Sequence, residues 1–395
     1  MRVAVIGGGA AGFFAALQAK QSHPKVNVTI FERTAKLLSK VRISGGGRCN
    51  VTHACFDPRE LVKNYPRGSR ELLGPFHTFG PTDTIQWFKE RGVELKAEAD
   101  GRMFPTTDSS DTIIQCFLEE ASRLGVKICL QTKLESIQKT TSGFELNMRE
   151  KITVDRVILA CGSSRLGHDL AMSLGHTVQT PVPSLFTFNI PSFSLKDLSG
   201  VATRAKLKIG KLEQTGPLLI THFGFSGPAA LKLSAFGARF LAEKEYHAKL
   251  QVDWIPEQLE SDLQSEIDFQ KKSHPKKRLV NTKLTELPKS LWRALLHRSG
   301  FSDVLLGELS KSKIFKLLDL LKRDPYQVHG KTTNKEEFVT CGGITLKEVN
   351  FKTMESKCTE GLYFCGEILD IDGITGGFNF QNAWTTGYLA GSKLF

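Results

Sequence analysis

The sequence predicts an α/β fold in which a Rossmann-like nucleotide-binding domain is interrupted by a β-rich insert and a helical subdomain. Two glycine-rich junctions between an apolar strand and a helix, one near each end of the chain, indicate the two parts of the nucleotide-binding domain. Short alternating segments between them indicate the insert. We expect the first part at residues 1–184, the β-rich insert at 185–255, a basic helical insert at 256–335 and the second part at 336–395.

The first junction predicts a dinucleotide site. Residues 3–6 form a short apolar run typical of a buried strand, and Gly7, Gly9 and Gly12 follow it in the G-x-G-x-x-G spacing. The first glycine permits a tight turn, the second lets the backbone approach a pyrophosphate, and the third lets the helix pack closely on the sheet. Glu32 ends the next apolar run, where a carboxylate accepts hydrogen bonds from ribose hydroxyls. These features fit NAD and FAD equally.

Residues 44–50, Ser-Gly-Gly-Gly-Arg-Cys-Asn, form a second glycine-rich segment. Three consecutive glycines disfavour a regular element. Their exposed backbone N–H groups, with Arg42 and Arg48 on either side, favour an anion-binding loop over a flexible linker.

Hydrophobic periodicity predicts the elements that follow these glycine-rich segments. The expected strands of the nucleotide-binding part are 26–31, 126–130, 154–160 and 361–365, with a small antiparallel pair at 133–138 and 144–148. The expected helices are 10–22, 82–91, 110–124, 167–175 and 382–393. The insert has alternating segments at 185–190, 203–209, 218–222 and 247–254, helices with apolar stripes follow within 256–325, and sheet-like sequence returns from about Phe338.

The closing junction has glycines in residues 373–381, ahead of the last helix. A second glycine-rich helix start is what a long dinucleotide cofactor requires, because the protein has to bind it at both ends. One helix N-terminus holds the pyrophosphate, and the second lies near the distal ring, where its dipole stabilises negative charge.

Composition limits the classes of function. At 395 residues the chain is long enough for two or three domains. It opens on a strand rather than an export signal, and no apolar run approaches the roughly 18 residues of a membrane span, so we expect a cytoplasmic protein. The eight cysteines include no C-x-x-C pair and no zinc-like spacing with histidine, so we expect no metal site and mostly buried, reduced thiols.

The net charge of +12 is concentrated in the helical insert, where residues 256–335 carry sixteen Lys or Arg against ten Asp or Glu. The run includes Lys276, Lys277 and Arg278. Such a region can bind nucleic acid, but a solvated face is the favoured interpretation because the run lacks interleaved aromatic residues.

These motifs identify a family resemblance over the whole length of the chain. Residues 5–12, 44–50, 221–228 and nearly all of 339–391 resemble bacterial flavoproteins of the HI0933-like group, the BaiN/YhiN type of NAD(P)/FAD-dependent oxidoreductases. The resemblance implies a glutathione-reductase-like FAD domain of the two-dinucleotide-binding type, with a barrel-like insert and a helical cap. It therefore implies FAD, rather than NAD, at the first fingerprint.

The resemblance also implies contacts to the cofactor along most of the nucleotide-binding domain. The pyrophosphate and adenosine end would lie near Gly7, Gly9, Ala10, Ala11, Gly12, Glu32, Arg33, Leu134, Ala160, Cys161 and Gly162. The middle and the ring would lie near Lys40, Ser44, Gly45, Gly46, Gly47, Arg48, Cys49, Asn50, Gly366, Glu367, Asp370, Gly376, Gly377, Phe378, Asn379 and Gln381.

Two positions depart from the family pattern. Cys161-Gly162-Ser163 stands where the family usually has Thr-Gly-Gly, which puts the contacts around Cys161 in question. His53 stands where Asn is common, and a surface position is the favoured interpretation over a titrating neighbour of the site.

The segment 221–228 invites a hydrolase interpretation because Ser226 lies between glycines. A nucleophile elbow needs G-x-S-x-G, and Pro228 occupies the last glycine position. Thr221, His222 and Ser226 are instead candidates for lining the open face of the flavin, or they close a polar turn of the barrel.

The predicted function is an FAD-dependent oxidoreductase in which the flavin accepts a hydride and passes electrons to an organic acceptor or to oxygen. Because no second G-x-G-x-x-G is visible, NAD(P)H would act as a transient donor. Reduction of an unsaturated small molecule, oxidation of a small amine or ketone with release of hydrogen peroxide, and an RNA-associated flavoprotein are the alternatives.

Overall fold

A seven-stranded sheet, mostly parallel, carries the nucleotide-binding part of the protein. The computed structural model describes residues 1–332 and 339–394. The chain divides into a first unit, Met1–Pro183 with Lys335–Phe395, and a second unit, Ser184–Asn334. The expected return of sheet-like sequence at Phe338 and the predicted boundary between residues 335 and 336 lie outside the described residues.

The first unit begins with alternating strands and helices that run up to the insert. In chain order they are β1 (Arg2–Ile6), α1 (Ala10–Ser22), β2 (Asn27–Phe31), α2 (Ser39–Gly47), β3 (Thr52–His53), α3 (Pro58–Leu61), α4 (Ser69–Thr78), α5 (Pro81–Lys89), β4 (Leu95–Ala97), β5 (Arg102–Pro105), α6 (Ser110–Leu124), β6 (Lys127–Cys129), β7 (Ser136–Thr140), β8 (Gly143–Asn147), β9 (Lys151–Val154), β10 (Arg156–Leu159), α7 (Arg165–Ser173) and β11 (Val178–Pro183).

The second unit is a β-sheet followed and interrupted by helices. Its elements are β12 (Thr187–Asn189), β13 (Ala202–Ile209), β14 (Leu212–Ile220), β15 (Gly224–Ser226), α8 (Pro228–Phe236), α9 (Ala238–Glu243), β16 (His247–Asp253), α10 (Glu260–Ser273), α11 (Lys289–Arg298), α12 (Lys311–Lys322), β17 (Asp324–His329) and β18 (Lys331–Thr332). The first unit then resumes with β19 (Thr340–Ile344), β20 (Val349–Asn350), β21 (Glu355–Ser356), β22 (Leu362–Phe364) and α13 (Phe378–Ser392).

The main sheet of the first unit has the strand order β20-β21-β22-β10-β1-β2-β6. Its strands run parallel from β22 to β6, and β20 and β21 add an antiparallel edge. β1 lies between β10 and β2, so its residues Val3 to Val5 are buried on both faces. The turns after β1 and β10 therefore lie side by side at the carboxyl edge of the sheet, where α/β folds bind ligands.

Helices α1 and α13 pack against each other at very short range. A Cβ atom at Gly387 would lie 2.8 Å from the Ala11 carbonyl oxygen, and one at Gly391 would lie 2.3 Å from that of Ala15. The two helices also share a buried aromatic cluster around Phe14 and Trp384, whose ring centroids are 5.6 Å apart. This packing fixes the two glycine-rich helix starts relative to each other within the first unit.

The sheet of the second unit closes on itself. Its strand order is β17-β16-β13-β14-β15-β12-β18, and β17 and β18 follow each other across Gly330, so the chain returns to β12. The alternating burial of Asp324–His329 and of Ala202–Ile209 matches a sheet with one apolar and one exposed face. One hydrophobic core joins this sheet to α10, α11 and α12.

Three sequence expectations need correction. Residues 324–329, expected in the helical insert, form β17, whose alternating exposed Pro325, Gln327 and His329 are typical of a strand. The last helix begins four residues early, at Phe378. The expected strand 154–160 is present as β10 but begins two residues later, at Arg156, because the chain breaks at Asp155, whose carboxylate accepts a hydrogen bond from the Arg2 backbone N–H.

Candidate cofactor-binding site

The turn after β1 combines two crowded glycines with one open glycine. Gly7 has φ +116°, and a Cβ there would lie 2.5 Å from the Ala160 carbonyl oxygen. A Cβ at Gly12 would lie 2.0 Å from the carbonyl oxygen of Gly7. At Gly9, the residue that caps α1, no described atom lies within 4 Å of a Cβ. The backbone is thus exposed at the helix N-terminus, where Ala10 and Ala11 present N–H groups suited to a pyrophosphate.

Glu32 lies at the end of β2, beside this turn. Its Oε2 accepts a hydrogen bond from the Gly8 backbone N–H at 2.9 Å, and its Oε1 accepts from the N–H and hydroxyl of Thr34, both at 2.8 Å. The carboxylate is therefore held in one orientation at the sheet edge, while Arg33 beside it is exposed. This is the arrangement expected for binding a ribose.

The end of β10 forms the other side of the same edge. Cys161 Sγ donates to the carbonyl oxygen of Ile6 at 3.3 Å, and burial raises the pKa of its thiol to about 12. Cys161 is therefore a packing residue in its thiol form. Gly162 has φ +58° and lies beside Glu367, which forms an ion pair with Lys40 and accepts from the Thr340 N–H at 3.3 Å.

The triple-glycine segment is irregular, as its composition predicts. Ser44 has ψ 147°, and Gly45 and Gly46 have left-handed backbone angles. The flanking arginines, however, are both engaged: Arg42 pairs with Asp111 at 2.6 Å, and Arg48 pairs with Glu98 at 2.7 Å while its guanidinium lies 3.9 Å from the centroid of the Phe104 ring. An anion at this loop would therefore be bound by the backbone N–H groups of the glycines, because the guanidinium groups of Arg42 and Arg48 are already paired with carboxylates.

Two residues close this loop on the protein interior. Cys49 is buried, with a pKa raised to about 12 by that burial, and is a second packing thiol. The Asn50 amide donates to the Thr52 carbonyl at 3.0 Å and accepts from the Gly377 N–H at 2.9 Å. Asn50 thereby ties the triple-glycine loop to the N-terminus of α13.

Helix α13 begins at a crowded glycine pair. A Cβ at Gly377, which has φ +92°, would lie 2.5 Å from the Thr52 carbonyl oxygen, and one at Gly376 would lie 2.9 Å from the Phe378 ring. Only glycine permits this approach. The positive end of a 15-residue helix is thus presented at the loop that precedes it.

His53 is not the surface residue that the sequence favoured. Its ring stacks on Phe378, with the centroids 4.7 Å apart, and its Nε2 lies 3.1 Å from the Asp100 carbonyl oxygen. Burial lowers the pKa of His53, and its buried Nδ1 has no hydrogen-bond partner among the described residues. His53 is therefore a neutral neighbour of the Gly376–Phe378 turn.

Several residues expected at the cofactor are instead bonded within the protein. Gln381 is fully buried and accepts hydrogen bonds from the hydroxyls of Thr52 (2.6 Å) and Thr84 (3.0 Å). Asn379 bridges the N–H and carbonyl of Gly373, at 2.8 and 3.0 Å. Asp370 accepts from the Gly342 N–H at 3.1 Å. These side chains shape the loops around α13.

Two further residues expected at the cofactor are also placed by the fold. Leu134 is buried just before β7, and the Gly366 backbone N–H donates to the Thr386 hydroxyl.

Tyr65, Arg67 and Asp372 support the same turn and carry no local sequence signal. Tyr65 is buried, and its hydroxyl donates to the Phe378 carbonyl at 2.6 Å. Arg67 forms an ion pair with Asp372, whose side chain is completely inaccessible to solvent. Their partners lie more than 300 residues away in sequence, so no motif could identify them.

The candidate residues Thr221, His222 and Ser226 lie in the second unit, at the turn between β14 and β15. The Thr221 hydroxyl donates to the Gly224 carbonyl and accepts from the Gly224 N–H, at 3.0 and 3.1 Å. The Ser226 hydroxyl accepts from Thr187 at 3.0 Å. The hydroxyl groups of Thr221 and Ser226 are thus engaged in closing the barrel, while the His222 side chain is exposed.

A separate cluster in the first unit brings His176, Glu348 and Cys358 within 4.8 Å of one another. His176 is buried, with Nδ1 3.2 Å from Glu348 Oε2 and Nε2 2.8 Å from the Ser356 hydroxyl. Both ring nitrogens are therefore engaged. A metal ion would have to break one of these hydrogen bonds, so the arrangement is explained as a buried polar network.

The first unit therefore offers one continuous set of features suited to a two-ended dinucleotide. An open helix N-terminus lies after β1, a ribose-type carboxylate ends β2, and an irregular loop is tied by Asn50 to a second helix N-terminus. Among the described residues, no helix combines the length and the apolar character needed to cross a lipid bilayer.

Known proteins resemble the chain over nearly its whole length. The family model for the HI0933-like protein Rossmann domain matches residues 1–393. The 3-dehydro-bile acid delta(4,6)-reductase of Clostridium scindens is 31% identical, covering 99% of this chain and 98% of the relative. The ribosomal RNA dihydrouridine synthase of Haemophilus influenzae is 28% identical, covering 97% and 96%. The solved structure of a 3-ketosteroid delta1-dehydrogenase from Sterolibacterium denitrificans shares the fold, with a TM-score of 0.52, 12% identity and coverage of 99% and 98%.

Proposed function

The chain belongs to the HI0933-like family of FAD-binding oxidoreductases, and from that premise we propose that it reduces a carbon–carbon double bond conjugated to a carbonyl group. NAD(P)H is the proposed transient electron donor. FAD, when bound, supplies hydride chemistry. The substrate's β-carbon takes up the hydride and its α-carbon takes up a proton, so the double bond becomes a single bond.

The chemistry shared by two full-length relatives carries this proposal. The name of the C. scindens relative describes reduction of delta-4,6 double bonds in a bile acid with an oxidised 3-position, which makes those double bonds conjugated to a ketone. The name of the H. influenzae relative describes formation of dihydrouridine, in which the ring double bond next to a carbonyl is saturated. The two substrates differ in size and charge, yet the bond that is reduced has the same electronic character.

The residues of the first unit have defined parts in this proposal. The N–H groups at Gly9, Ala10 and Ala11 bind the pyrophosphate, and Glu32 binds the adenosine ribose. The N-terminus of α13, fixed by Asn50, favours negative charge on the reduced ring. His222, exposed in the second unit, is retained as a candidate proton donor because imidazole is the side chain most often used in general acid–base catalysis.

The test is anaerobic reoxidation of the reduced holoenzyme. Protein reconstituted with FAD is reduced with NADPH or NADH and then mixed with 2-cyclohexenone, uridine or, as a control, cyclohexene. We expect the oxidised flavin absorbance to return with a conjugated acceptor and not with the isolated alkene. Equal reoxidation with all acceptors, or oxygen-dependent hydrogen peroxide release at the full turnover rate, would refute the proposal.

Uracil in RNA is a second candidate substrate, and the charge distribution favours it. The second unit, Ser184–Asn334, carries 24 Lys or Arg against 15 Asp or Glu, which is +9 of the total +12. A neutral or anionic small molecule does not require so much charge, whereas an RNA backbone does. Detection of dihydrouridine in RNA incubated with the reduced holoenzyme tests this candidate directly.

A further inference from the structure

The positive charge of the second unit is not confined to the run at residues 276–278. The exposed face of its closed sheet carries Lys206 and Lys208 on β13, Lys249 on β16, and His247 and His329 on β16 and β17. Strand register places Lys208 opposite Gln251, Lys249 opposite Gln327, and His247 opposite His329. Because neighbouring strands are about 5 Å apart, these groups form one contiguous basic face.

This basic face, defined by Lys206, Lys208, Lys249, His247 and His329, has two acidic side chains as cross-strand neighbours. Glu213 of β14 lies opposite Lys208, and Asp253 of β16 lies opposite Lys206 but forms an ion pair with Lys322 at 2.9 Å. None of the three lysines forms an ion pair with a carboxylate among the described residues. Glu213 offsets part of the charge at Lys208, and the ammonium groups of Lys206 and Lys249 are available to an external anion.

The basic face runs into a cleft of about 630 Å³ within the same unit, a volume in the range typical of ligand pockets. Gln327 and His329 of β17 border both the face and the cleft. Lys316, exposed on α12, and the hydroxyl residues Ser192 and Ser194 also line it. Two carboxylates also line the cleft, and each is paired with an arginine: Asp319 with Arg323 and Asp324 with Arg298. The cleft thus continues the face as a concave polar site.

Arg298 is held in this cleft by a built network. Its guanidinium donates to the Tyr326 hydroxyl at 2.6 Å and to Asp324, and Asp324 also accepts from the Trp254 indole N–H at 2.9 Å. The Asp324 side chain is 2% exposed and that of Arg298 is 24% exposed. The buried acid therefore holds the arginine, which lines the cleft, in one orientation.

We propose that the basic face and the cleft bind the sugar-phosphate backbone of RNA, with the lysines tracking successive phosphates and one phosphate reaching the cleft. This inference rests on the uracil-reducing form of the proposed function. The face carries lysines and histidines in place of exposed aromatic side chains, which favours backbone contacts over base stacking. The five residues that define the face also include no apolar side chain of the kind with which a membrane-binding surface anchors itself.

Fluorescence anisotropy with a labelled single-stranded RNA oligonucleotide and the FAD-loaded protein tests the proposal. The test variant combines Lys206→Gln, Lys208→Gln and Lys249→Gln. The matched control combines Lys276→Gln, Lys277→Gln and Arg278→Gln, which removes the same charge from the same unit. We expect the test variant to bind RNA at least tenfold more weakly, with a salt-dependence slope smaller by about 2, since each single-strand phosphate contact contributes about 0.7.

The control should lose less than threefold. Equal losses in the two variants would show that only net charge matters and would overturn the proposal, as would wild-type affinity in the test variant. Lysine-dependent binding of equal strength to vesicles containing anionic phospholipid would overturn the choice of RNA. In a second arm, Lys316→Gln should weaken RNA binding further, and an unchanged affinity would remove the cleft from the site.

Failure of this proposal is distinguishable from failure of the proposed function. Reoxidation by 2-cyclohexenone is measured in parallel on each variant and should not change. If the enone reoxidises the flavin but RNA does not bind, the docking surface is wrong and the reductase activity stands. If RNA binds through the lysines but no conjugated acceptor reoxidises the flavin, the docking surface stands and the reductase activity is wrong.

Discussion

Substitution of Gly9 by serine should separate cofactor binding from folding. Gly9 has φ −94° and ψ −171°, which any residue can adopt, and no described atom lies within 4 Å of an added Cβ. Serine is also a better helix N-cap than glycine by a few tenths of a kcal/mol. The free energy of unfolding of the apoprotein should therefore stay within about 0.5 kcal/mol of wild type.

The cost should appear in FAD affinity. The open space at Gly9 is where the backbone approaches the pyrophosphate, and a side chain there displaces the charged group from the N–H donors of α1. Loss of one hydrogen bond to a charged group costs about 1.5–3 kcal/mol, which corresponds to roughly 10- to 100-fold in Kd. Flavin fluorescence titration of the apoprotein measures this change.

Two further glycines provide the controls. Gly74, inside α4 and outside the glycine-rich turn, has no other part of the described chain within 4 Å of an added Cβ apart from its own neighbours, so Gly74→Ala should leave FAD affinity unchanged, while the contact of the new Cβ with Pro75 offsets the gain in helix propensity. Gly12→Ala places a Cβ 2.0 Å from the Gly7 carbonyl oxygen and should destabilise the apoprotein itself. If Gly9→Ser binds FAD as tightly as wild type, or unfolds as easily as Gly12→Ala, the assignment of the pyrophosphate site is wrong.

Three other predictions follow from buried groups. Asp372→Asn should lower the free energy of unfolding, measured by urea denaturation, by about 3–5 kcal/mol, because Arg67 loses its buried partner. Glu60→Gln, at the exposed pair with Lys63, should change it by less than about 1 kcal/mol. Similar effects of the two variants would contradict the buried pair. Burial lowers the pKa of His53, His168 and His176, so the unfolded chain takes up more protons than the folded protein as the pH falls below about 6.5. The free energy of unfolding should therefore decrease from pH 7 to pH 5, and it should decrease less steeply in His168→Asn. A rise over that range would be inconsistent with neutral buried imidazoles. When the thiols of the folded protein are labelled, the exposed Cys358 should react first. Cys49 and Cys161 should react only on unfolding, because burial raises the pKa of each thiol to about 12. Early labelling of Cys161, detected by peptide mass spectrometry, would contradict its role in packing.

Local sequence signals were most informative where a residue's role depends on its immediate neighbours. The spacing of Gly7, Gly9 and Gly12 after an apolar run predicted the strand, the turn and the helix start, because each glycine acts within one turn of backbone. The triple glycine predicted an irregular loop for the same reason. Alternation predicted β13 and β16, although the alternating segment 324–329 was assigned to a helical region.

Side-chain partners were the least accessible part of the site. Arg42 and Arg48 look available for an anion in sequence, yet each is paired with a carboxylate 50 or more residues away. Gln381 and Asn379 follow a glycine pair at an expected cofactor ring, yet their amides are bonded to the protein. His53 looks like a lone surface histidine until the Phe378 ring is placed against it.

The sequence by itself determined the family, the parallel nucleotide-binding sheet and the positions of its two glycine-rich helix starts, because these depend on backbone freedom and on short-range periodicity. Only the tertiary structure decided which polar groups remain available for a ligand. It placed Asn50 on Gly377, engaged the arginines beside the triple glycine, and assembled three lysines from two strands into one exposed face. Such contacts join residues that are distant along the chain, and their energies depend on burial and strand register, which local composition does not specify.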